Sequence, residues 1–143
     1  MLSDVYAAGF FDGEGWVGTS TKRRKSDGAK YPKSLRTAIG QTNKAILELF
    51  REKWDGNISK ILRPLPAKTF YQWECKGATA ERFLQDISPY LILKRREVDV
   101  VLLFRKRQLE RQKIKGRNTK LDKAELIQRE NLIADLTDAK AER

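Results

Sequence analysis

The segment AAGFFDGEG at residues 7–15 places three glycines and two carboxylates within nine residues. Gly9 and Gly13 are four residues apart, so on a helix they share one face and allow another backbone to approach closely. Glu14 would then lie at the carboxyl end of this helix, where the helix dipole disfavours an anion by roughly 0.3 to 1 kcal/mol. Taken singly, the glycine pair is also typical of ordinary helix packing or termination, and Glu14 of a solvated loop. Together they indicate a helix that packs against a partner helix and presents a functional acid at its end.

Outward from this segment, the residue patterns predict one α/β (α+β) unit with the element order α-β-β-α-β-β-α. The predicted helices begin near residues 4, 43 and 78, and the predicted strands span residues 16–25, 34–40, 58–63 and 69–76. Ser3 is the expected N-cap of the first helix, which spans residues 4–11 and stops at Gly13 and Gly15. A further helix begins near residue 95. After Gly116 a terminal amphipathic helix follows, with an apolar stripe of Leu126, Leu132, Ile133 and Leu136.

The amino-acid composition limits the kinds of catalysis and metal binding that are available to the chain. The chain has 143 residues, enough for one domain, and its 30 Lys and Arg against 19 Asp and Glu give a net charge of +11. A polyanionic partner is therefore the first hypothesis. The chain has no histidine and one cysteine, Cys75, which excludes His-ligated zinc, Ser-His-Asp and Cys-His catalysis, and intramolecular disulfides. Any chemistry must use carboxylates, lysines, hydroxyls, water or an added metal.

The charges are unevenly distributed along the chain. Residues 22–36 carry seven cations against Asp27, and residues 105–117 carry seven against Glu110, whereas residues 1–21 hold three anions and no cation. The first basic segment favours a nucleic-acid contact; for the second, a solvated helix face is an equally good interpretation. The amino terminus lacks a signal peptide, and the longest aliphatic or aromatic run, residues 100–104, is too short to span a bilayer. We therefore expect a soluble intracellular protein of a prokaryote or an organelle, with no membrane partner.

Residues 7–15 closely resemble the nine-residue signature of the LAGLIDADG homing endonucleases. Gly9, Asp12 and Gly15 stand where that pattern has them, and Ala8 holds its alanine. Glu14 replaces the last aspartate and keeps the charge. Gly13 replaces the other alanine, and Phe10 and Phe11 replace aliphatic residues. The resemblance implies the αββαββα fold, with a concave antiparallel DNA-binding sheet. It covers residues 1–104 as the endonuclease core and leaves residues 105–143 as a basic, amphipathic helical extension of the same domain.

For the active site, the resemblance implies a homodimer with two acids that share divalent metal, Mg²⁺. Two motif helices packed about a two-fold axis bring two Glu14 carboxylates together, and like charges at close range require a cation between them. The expected metal ligands are Glu14 and Gly13, and the expected catalytic residues are Glu14, Lys94 and Gln41. The dimer interface is expected at Ala8, Gly9, Asp12 and Gly13. Two alternatives stay open: a surface cation at the start of a helix for Lys94, and hydrogen bonding to backbone, which is favoured over metal ligation, for Asp12.

Strand alternation predicts which side chains face DNA. Polar side chains on the side of two hairpins that faces away from the core form a basic ribbon suited to a major groove. The expected contacts in the first hairpin are Gly18, Ser20, Lys22, Arg24, Lys25, Ser34 and Arg36. In the second hairpin they are Ser59, Ile61, Arg63, Gln72 and Glu74. Core packing is preferred for Trp73 and left open for Trp16.

The function that these features predict is site-specific, metal-dependent hydrolysis of both strands of DNA by a homodimer. The resemblance implies an intron-encoded homing endonuclease, and a strand of about ten residues implies a pseudo-palindromic target of about 18 to 20 base pairs. The first alternative is a catalytically silent nucleic-acid-binding module such as an intron maturase or repressor. The second is a basic RNA-binding or ribosome-associated protein.

Overall fold

The computed structural model describes residues 1–116 and 120–142, and it has the predicted element order. The helices are α1 (Asp4–Glu14), α2 (Lys44–Trp54), α3 (Gly77–Ile87), α4 (Arg95–Lys115) and α5 (Lys123–Ala141), with a short 3₁₀ turn at Ser88–Tyr90. The strands are β1 (Gly15–Arg23), β2 (Lys30–Gln41), β3 (Asn57–Ile61) and β4 (Phe70–Lys76). Arg117, the last cation of the second basic segment, lies outside the described residues.

Local chemistry sets the helix ends. The Ser3 hydroxyl accepts a hydrogen bond from the Tyr6 N–H at 3.1 Å and begins α1, as predicted. Helix α1 ends at Glu14 and not at Phe11, because Gly13 continues the helix and the N–H of Gly15 closes it on the Phe11 carbonyl. The expectation that Gly13 stops the helix was therefore wrong. Glu14 is the last helical residue.

The four strands form one antiparallel sheet in the order β1-β2-β4-β3. Strand β2 is the longest; it pairs with the whole of β1 through residues 30–39, whereas β4 pairs only with residues 36–41 of β2. The β1–β2 hairpin therefore projects beyond the rest of the sheet. Ser20 lies opposite Ser34 and Thr21 opposite Pro32, which leaves Lys33 as the extra residue of a β-bulge.

The core lies on one face of this sheet, beneath the helices. Phe50, Trp54, Trp73 and Phe83 are at most 1% exposed and pack together with ring centroids 4.8 to 6.0 Å apart. Burying each such side chain contributes roughly 1.5 to 3 kcal/mol. Core packing of Trp73 is confirmed. Trp16 points to the opposite face of the sheet from Trp73 and is 39% exposed, so it does not belong to the core.

The carboxyl-terminal helices pack on each other and on the sheet. Helix α4 continues unbroken past residue 104, so the division between residues 104 and 105 falls inside one helix. Helix α5 buries Arg129, Leu132 and Ala139. Ile133, expected on the apolar stripe, is 40% exposed, because the buried stripe of α5 is narrow and follows the spacing 129, 132, 136, 139. None of the helices that the structure describes is long and apolar enough to cross a bilayer.

Candidate nucleic-acid-binding face and active site

The sheet face opposite the core, here called the open face, carries most of the predicted DNA contacts. Residues paired across antiparallel strands point to the same side of a sheet. Ser20 pairs with Ser34, and Gly18 pairs with Arg36. The open face so defined contains Gly18, Ser20, Lys22, Ser34, Arg36, Ser59, Ile61, Gln72 and Glu74. The alternation of side chains along each strand therefore predicted correctly that these residues share one face of the sheet.

Three predicted contacts lie beyond the strand ends. Strand β1 ends before Arg24 and Lys25, and β3 ends two residues before Arg63. The guanidinium of Arg24 pairs with Asp27 at 3.0 Å inside the hairpin tip. Arg63 donates two hydrogen bonds to the Lys68 carbonyl and lies over the ring of Phe70 at 5.1 Å. The predicted extension of β3 to residue 63 was wrong, because this arginine closes the turn between β3 and β4 instead of continuing the ladder.

Gly18 is not available for a DNA contact. It is buried, and a Cβ placed there would lie 2.6 Å from Cζ2 of Trp16, so the indole ring covers the strand at this point. Gly40 accommodates the ring of Phe70 in the same way, with a Cβ-to-ring distance of 2.1 Å. Trp16 and Phe70 are thus open-face residues that the sequence analysis missed, although the parity of Trp16 with Gly18 was the available signal.

An ion-pair network occupies the middle of the open face. Nε of Arg36 donates to Oε2 of Glu74 at 2.8 Å, the Gln72 amide donates to the same oxygen at 3.3 Å, and Lys76 Nζ lies 3.5 Å from Oε1. Burial raises the pKa of the Glu74 carboxyl, but the hydrogen bonds and charges of Arg36 and Lys76 outweigh it and hold that pKa below its usual range. Arg36 also lies 5.2 Å from the centroid of Trp16. The network fixes the direction of Arg36 and leaves Glu74 ionised at neutral pH.

Glu14 stands at the edge of the open face. Its side chain is exposed at the carboxyl end of α1, and it borders a recess of about 320 Å³. The recess is lined by Glu14, Trp16, Arg36, Ala38, Gly40, Phe70 and Gln72. The acid of the motif therefore adjoins the face that carries the predicted DNA contacts.

Asp12 and Lys94 connect the end of α1 to the loop before α4. The Asp12 carboxylate accepts the Ile92 N–H at 2.8 Å and the Lys94 N–H at 3.1 Å, while Lys94 Nζ donates to the Asp12 carbonyl at 2.5 Å. The backbone-bonding interpretation of Asp12 is confirmed. Lys94 is only 4% exposed, so the interpretation as a surface cation was wrong. Asp12 and Lys94 therefore fix the last turn of α1, which carries Glu14.

Gln41 is the last residue of β2. Its side-chain oxygen accepts the N–H of Thr42 at 2.8 Å, and it pairs with Tyr71 on the strand parity opposite to that of the open face. It is absent from the lining of the recess beside Glu14. The geometry thus brings Lys94 to the end of the motif helix, whereas a catalytic role for Gln41 stays a prediction.

The outer face of α1, which contains Gly9 and Gly13, is not covered by other described residues. A Cβ built at Gly9 or Gly13 finds no atom within 4 Å, and Val5 and Tyr6 are 60% and 54% exposed. Ile92 and Leu93, in the loop that Asp12 holds, are 84% and 56% exposed. Packing among the described residues therefore does not explain these glycines. Ala8, expected at the dimer interface, is fully buried in the core of its own chain and cannot contact a partner.

Three of the six described cations of the second basic segment form ion pairs within the chain. Arg105 pairs with Glu81 at 3.6 Å, Arg111 with Glu125 at 3.8 Å and Lys115 with Asp122 at 3.1 Å. These pairs link α4 to α3 and α5. They favour the interpretation of residues 105–116 as a helix face with a structural role.

The donor set that one chain supplies near Glu14 is small, and it fits a hard divalent ion that takes further oxygen ligands from outside the chain. Across residues 1–116 and 120–142, three or more His, Cys, Asp or Glu side chains nowhere group as a metal site would need. Both oxygens of Asp12 are already bonded to backbone N–H groups. Near the end of α1 each chain thus supplies one exposed carboxylate, that of Glu14. Mg²⁺ prefers six oxygen ligands that include water and phosphate. A second Glu14 and the DNA phosphates would complete such a set.

Comparisons with known proteins agree on the architecture. Neither a protein-family model nor a curated protein sequence matches the chain. Among solved structures, the chain is similar to the archaeal intron-encoded homing endonuclease I-Vdi141I in complex with DNA, with a TM-score of 0.71 and 19% identity over 95% of this chain and 82% of that chain. It is also similar to the homing endonuclease I-CvuI in complex with its target, with a TM-score of 0.59 and 19% identity over 95% and 93% of the two chains.

A third structure is longer. The LAGLIDADG homing endonuclease I-GzeII, in complex with its DNA target, matches 99% of this chain but only 44% of its own, with a TM-score of 0.64 and 14% identity. Together with the motif at residues 7–15, these similarities assign the chain the fold of the LAGLIDADG homing endonucleases.

Proposed function

We propose that this protein is a site-specific DNA endonuclease that acts as a homodimer and cuts both strands of a pseudo-palindromic target. The observation that carries the proposal is the position of Glu14, an exposed acid at the border between a basic open face and a helix surface suited to a second copy. A binding module without chemistry has no use for an anion there, because it repels the phosphates that the basic residues attract. The position of Glu14 thus argues against a silent maturase or repressor and against a simple RNA-binding protein.

The dimer contact is proposed along α1. Gly9 and Gly13 offer a backbone surface without side chains, flanked by exposed Val5 and Tyr6. Two such helices can approach closely about a two-fold axis, and this brings their carboxyl ends, each with a Glu14, into proximity. The I-GzeII chain, of which this chain matches less than half, is long enough to hold two such units in one polypeptide.

The chemistry proposed is hydrolysis of one phosphodiester per strand. Mg²⁺, bound by the two Glu14 carboxylates, would supply positive charge to the scissile phosphates and acidify water. The protein's own part is placement: Asp12 fixes the loop that carries Lys94, and the Lys94 ammonium holds the carbonyl at the end of α1. The same ammonium places a fixed cation near the phosphate, where negative charge develops in the transition state.

The open face would read base edges in the major grooves that flank the cut. Strand β1 has nine residues, which at about 3.3 Å each span about nine base pairs of about 3.4 Å. Two subunits would thus require a target of about 18 base pairs, the lower end of the length predicted from the sequence. The Arg36–Glu74 network is suited to base readout, because arginine donates to guanine and glutamate accepts from cytosine.

The experiment is plasmid cleavage with the DNA in which the reading frame is inserted, rejoined across the insertion, as the target. We expect linear product with Mg²⁺, none with EDTA, and tight binding without cutting when Ca²⁺ replaces Mg²⁺. Specific binding with no cleavage under Mg²⁺ or Mn²⁺ would establish the silent binding module instead. A preference for RNA over the duplex would establish the RNA-binding alternative.

A first expected result concerns salt. Lys22 and Lys25 are exposed in the projecting hairpin, and each phosphate neutralised adds about 0.9 to the slope of log K against log salt. If three cations per subunit contact phosphates, the slope is about −5, and Lys22→Ala should flatten it by about 2 because both subunits lose a contact. Lys123→Ala, an exposed lysine on α5, is the control and should leave the slope unchanged. Fluorescence anisotropy between 50 and 300 mM KCl (about sixfold in salt) measures this slope; a slope near zero would contradict the phosphate contacts.

A second expected result concerns Lys94. Lys94→Met keeps the length of the side chain but leaves the Asp12 carbonyl without this donor, at a cost of about 1 to 3 kcal/mol, and removes the cation at the carboxyl end of α1. We expect cleavage to slow by about 10 to 100-fold with DNA affinity nearly unchanged. The matched control is Lys53→Met, because Lys53 donates to the Leu2 carbonyl at 2.8 Å at the opposite end of α1. A loss confined to affinity would make Lys94 a phosphate contact.

A further inference from the structure

The projecting part of the β1–β2 hairpin, residues 20–34, lacks the support that the rest of the sheet has. Strand β4 pairs with β2 only from residue 36 onward, and Pro32 has no N–H to donate to the ladder. This segment nonetheless carries six of the seven cations of the first basic segment. An unsupported hairpin of this length bends and twists freely, so its charges would have no fixed direction.

Side chains of the carboxyl-terminal helices take the place of the missing strand. Nη1 of Arg129, on α5, donates to the Pro32 carbonyl at 2.9 Å, and Nε2 of Gln108, on α4, donates to the Lys33 carbonyl at 2.7 Å. These two carbonyls belong to consecutive residues at the β-bulge. Both contacts therefore fix the point at which the hairpin leaves the sheet.

Arg129 is held in place on all sides. It is 6% exposed, its Nε donates to Glu125 at 3.1 Å, and its guanidinium lies over the ring of Phe104 at 5.5 Å. Glu125 in turn lies 3.8 Å from Arg111. A buried guanidinium needs such compensation, and its planar geometry with several donors suits a rigid link between a helix and a strand carbonyl.

We propose that α4 and α5 brace the β1–β2 hairpin, and that Arg129 and Gln108 are positioning residues for base readout in the outer part of each half-site. The consequence for DNA rests on the proposed function. Lys22 to Lys25, beyond the bulge, span about 13 Å, or about four base pairs. The brace thus acts on the outermost four or so base pairs of each half-site, and not on the central pairs that are cut.

The first test measures the hairpin without DNA. Hydrogen exchange followed by mass spectrometry compares the parent with Arg129→Met/Glu125→Gln, a double variant that leaves no buried unpaired carboxylate, and with the milder Gln108→Ala. Arg82→Met is the control, because Arg82 also donates to a backbone carbonyl, that of Trp54 at 2.8 Å, but away from the hairpin. We expect exchange in residues 20–34 to quicken by about tenfold or more in both brace variants and to stay unchanged in the control. Unchanged exchange in residues 20–34 of Gln108→Ala and of the double variant would overturn the brace.

The second test measures specificity. Duplexes with about 24 randomised base pairs are selected for binding in Ca²⁺, and the base preference at each position is read by sequencing. Both brace variants should lose the preference at about four positions at each outer end, with inner preferences and the Arg82→Met profile unchanged. Base preferences of the brace variants that weaken equally at all positions of the site would overturn the positioning role. So would brace variants that keep all base preferences of the parent and have only a lower melting temperature. A parent protein that selects no sequence refutes the proposed function, while the exchange experiment still decides the brace.

Discussion

Glu14→Gln should reduce DNA cleavage by about 100 to 1,000-fold and leave both the fold and the DNA affinity intact. The side chain is exposed at the end of α1, so the substitution removes a charge without opening a cavity or breaking the core. The amide keeps the size of the acid but is a poor ligand for Mg²⁺. Cleavage of a linear duplex target under single-turnover conditions, with binding measured separately in Ca²⁺, separates the two effects.

The matched control is Glu52→Gln, an exposed glutamate on α2 that does not line the recess beside Glu14. It changes the net charge of the protein by the same amount, so any general effect of charge on DNA binding appears in both variants. Cleavage by Glu14→Gln at the rate of Glu52→Gln would remove the acid from the mechanism. A loss of affinity equal to the loss of rate would show that Glu14 acts in binding alone.

Gly9→Leu should convert the dimer to a monomer at micromolar concentration and abolish double-strand cutting. Within one chain the new side chain has room at its base, since a Cβ at Gly9 has no atom within 4 Å. Between two chains it would hold the α1 helices apart and prevent the close backbone approach that the proposed interface requires. Sedimentation velocity measures the assembly, and circular dichroism verifies that the monomer is still folded.

Ala45→Leu is the corresponding control, because Ala45 is an exposed small residue on the surface of α2. We expect this variant to remain dimeric and active. A Gly9→Leu protein that sediments as the parent does, and cuts both strands, would place the dimer contact elsewhere. A parent protein that is itself monomeric on its target would contradict the two-acid mechanism directly.

Much of the fold was predictable because its signals are local. Three such signals depend on residues within a few positions of one another. They are the N-cap at Ser3, the alternation that groups Arg36 with Ser34, and the end of α1 at Gly15, whose N–H donates to the Phe11 carbonyl. Periodicity of 2 and 3.6 residues reports which side chains share a face. For this reason the open face and the motif helix were recognised before any tertiary contact was known.

The sequence determined the element order, the acid at the end of the motif helix and the residues that share the open face. Three contacts depend on the folded chain: the indole of Trp16 covers Gly18, Lys94 is buried against the Asp12 carbonyl, and Arg129 donates to the Pro32 carbonyl. The last two contacts join residues 82 and 97 positions apart. Whether a residue on a given face meets solvent, a ring or a distant helix depends on such long-range packing, because periodicity fixes the direction of a side chain and not what lies in that direction.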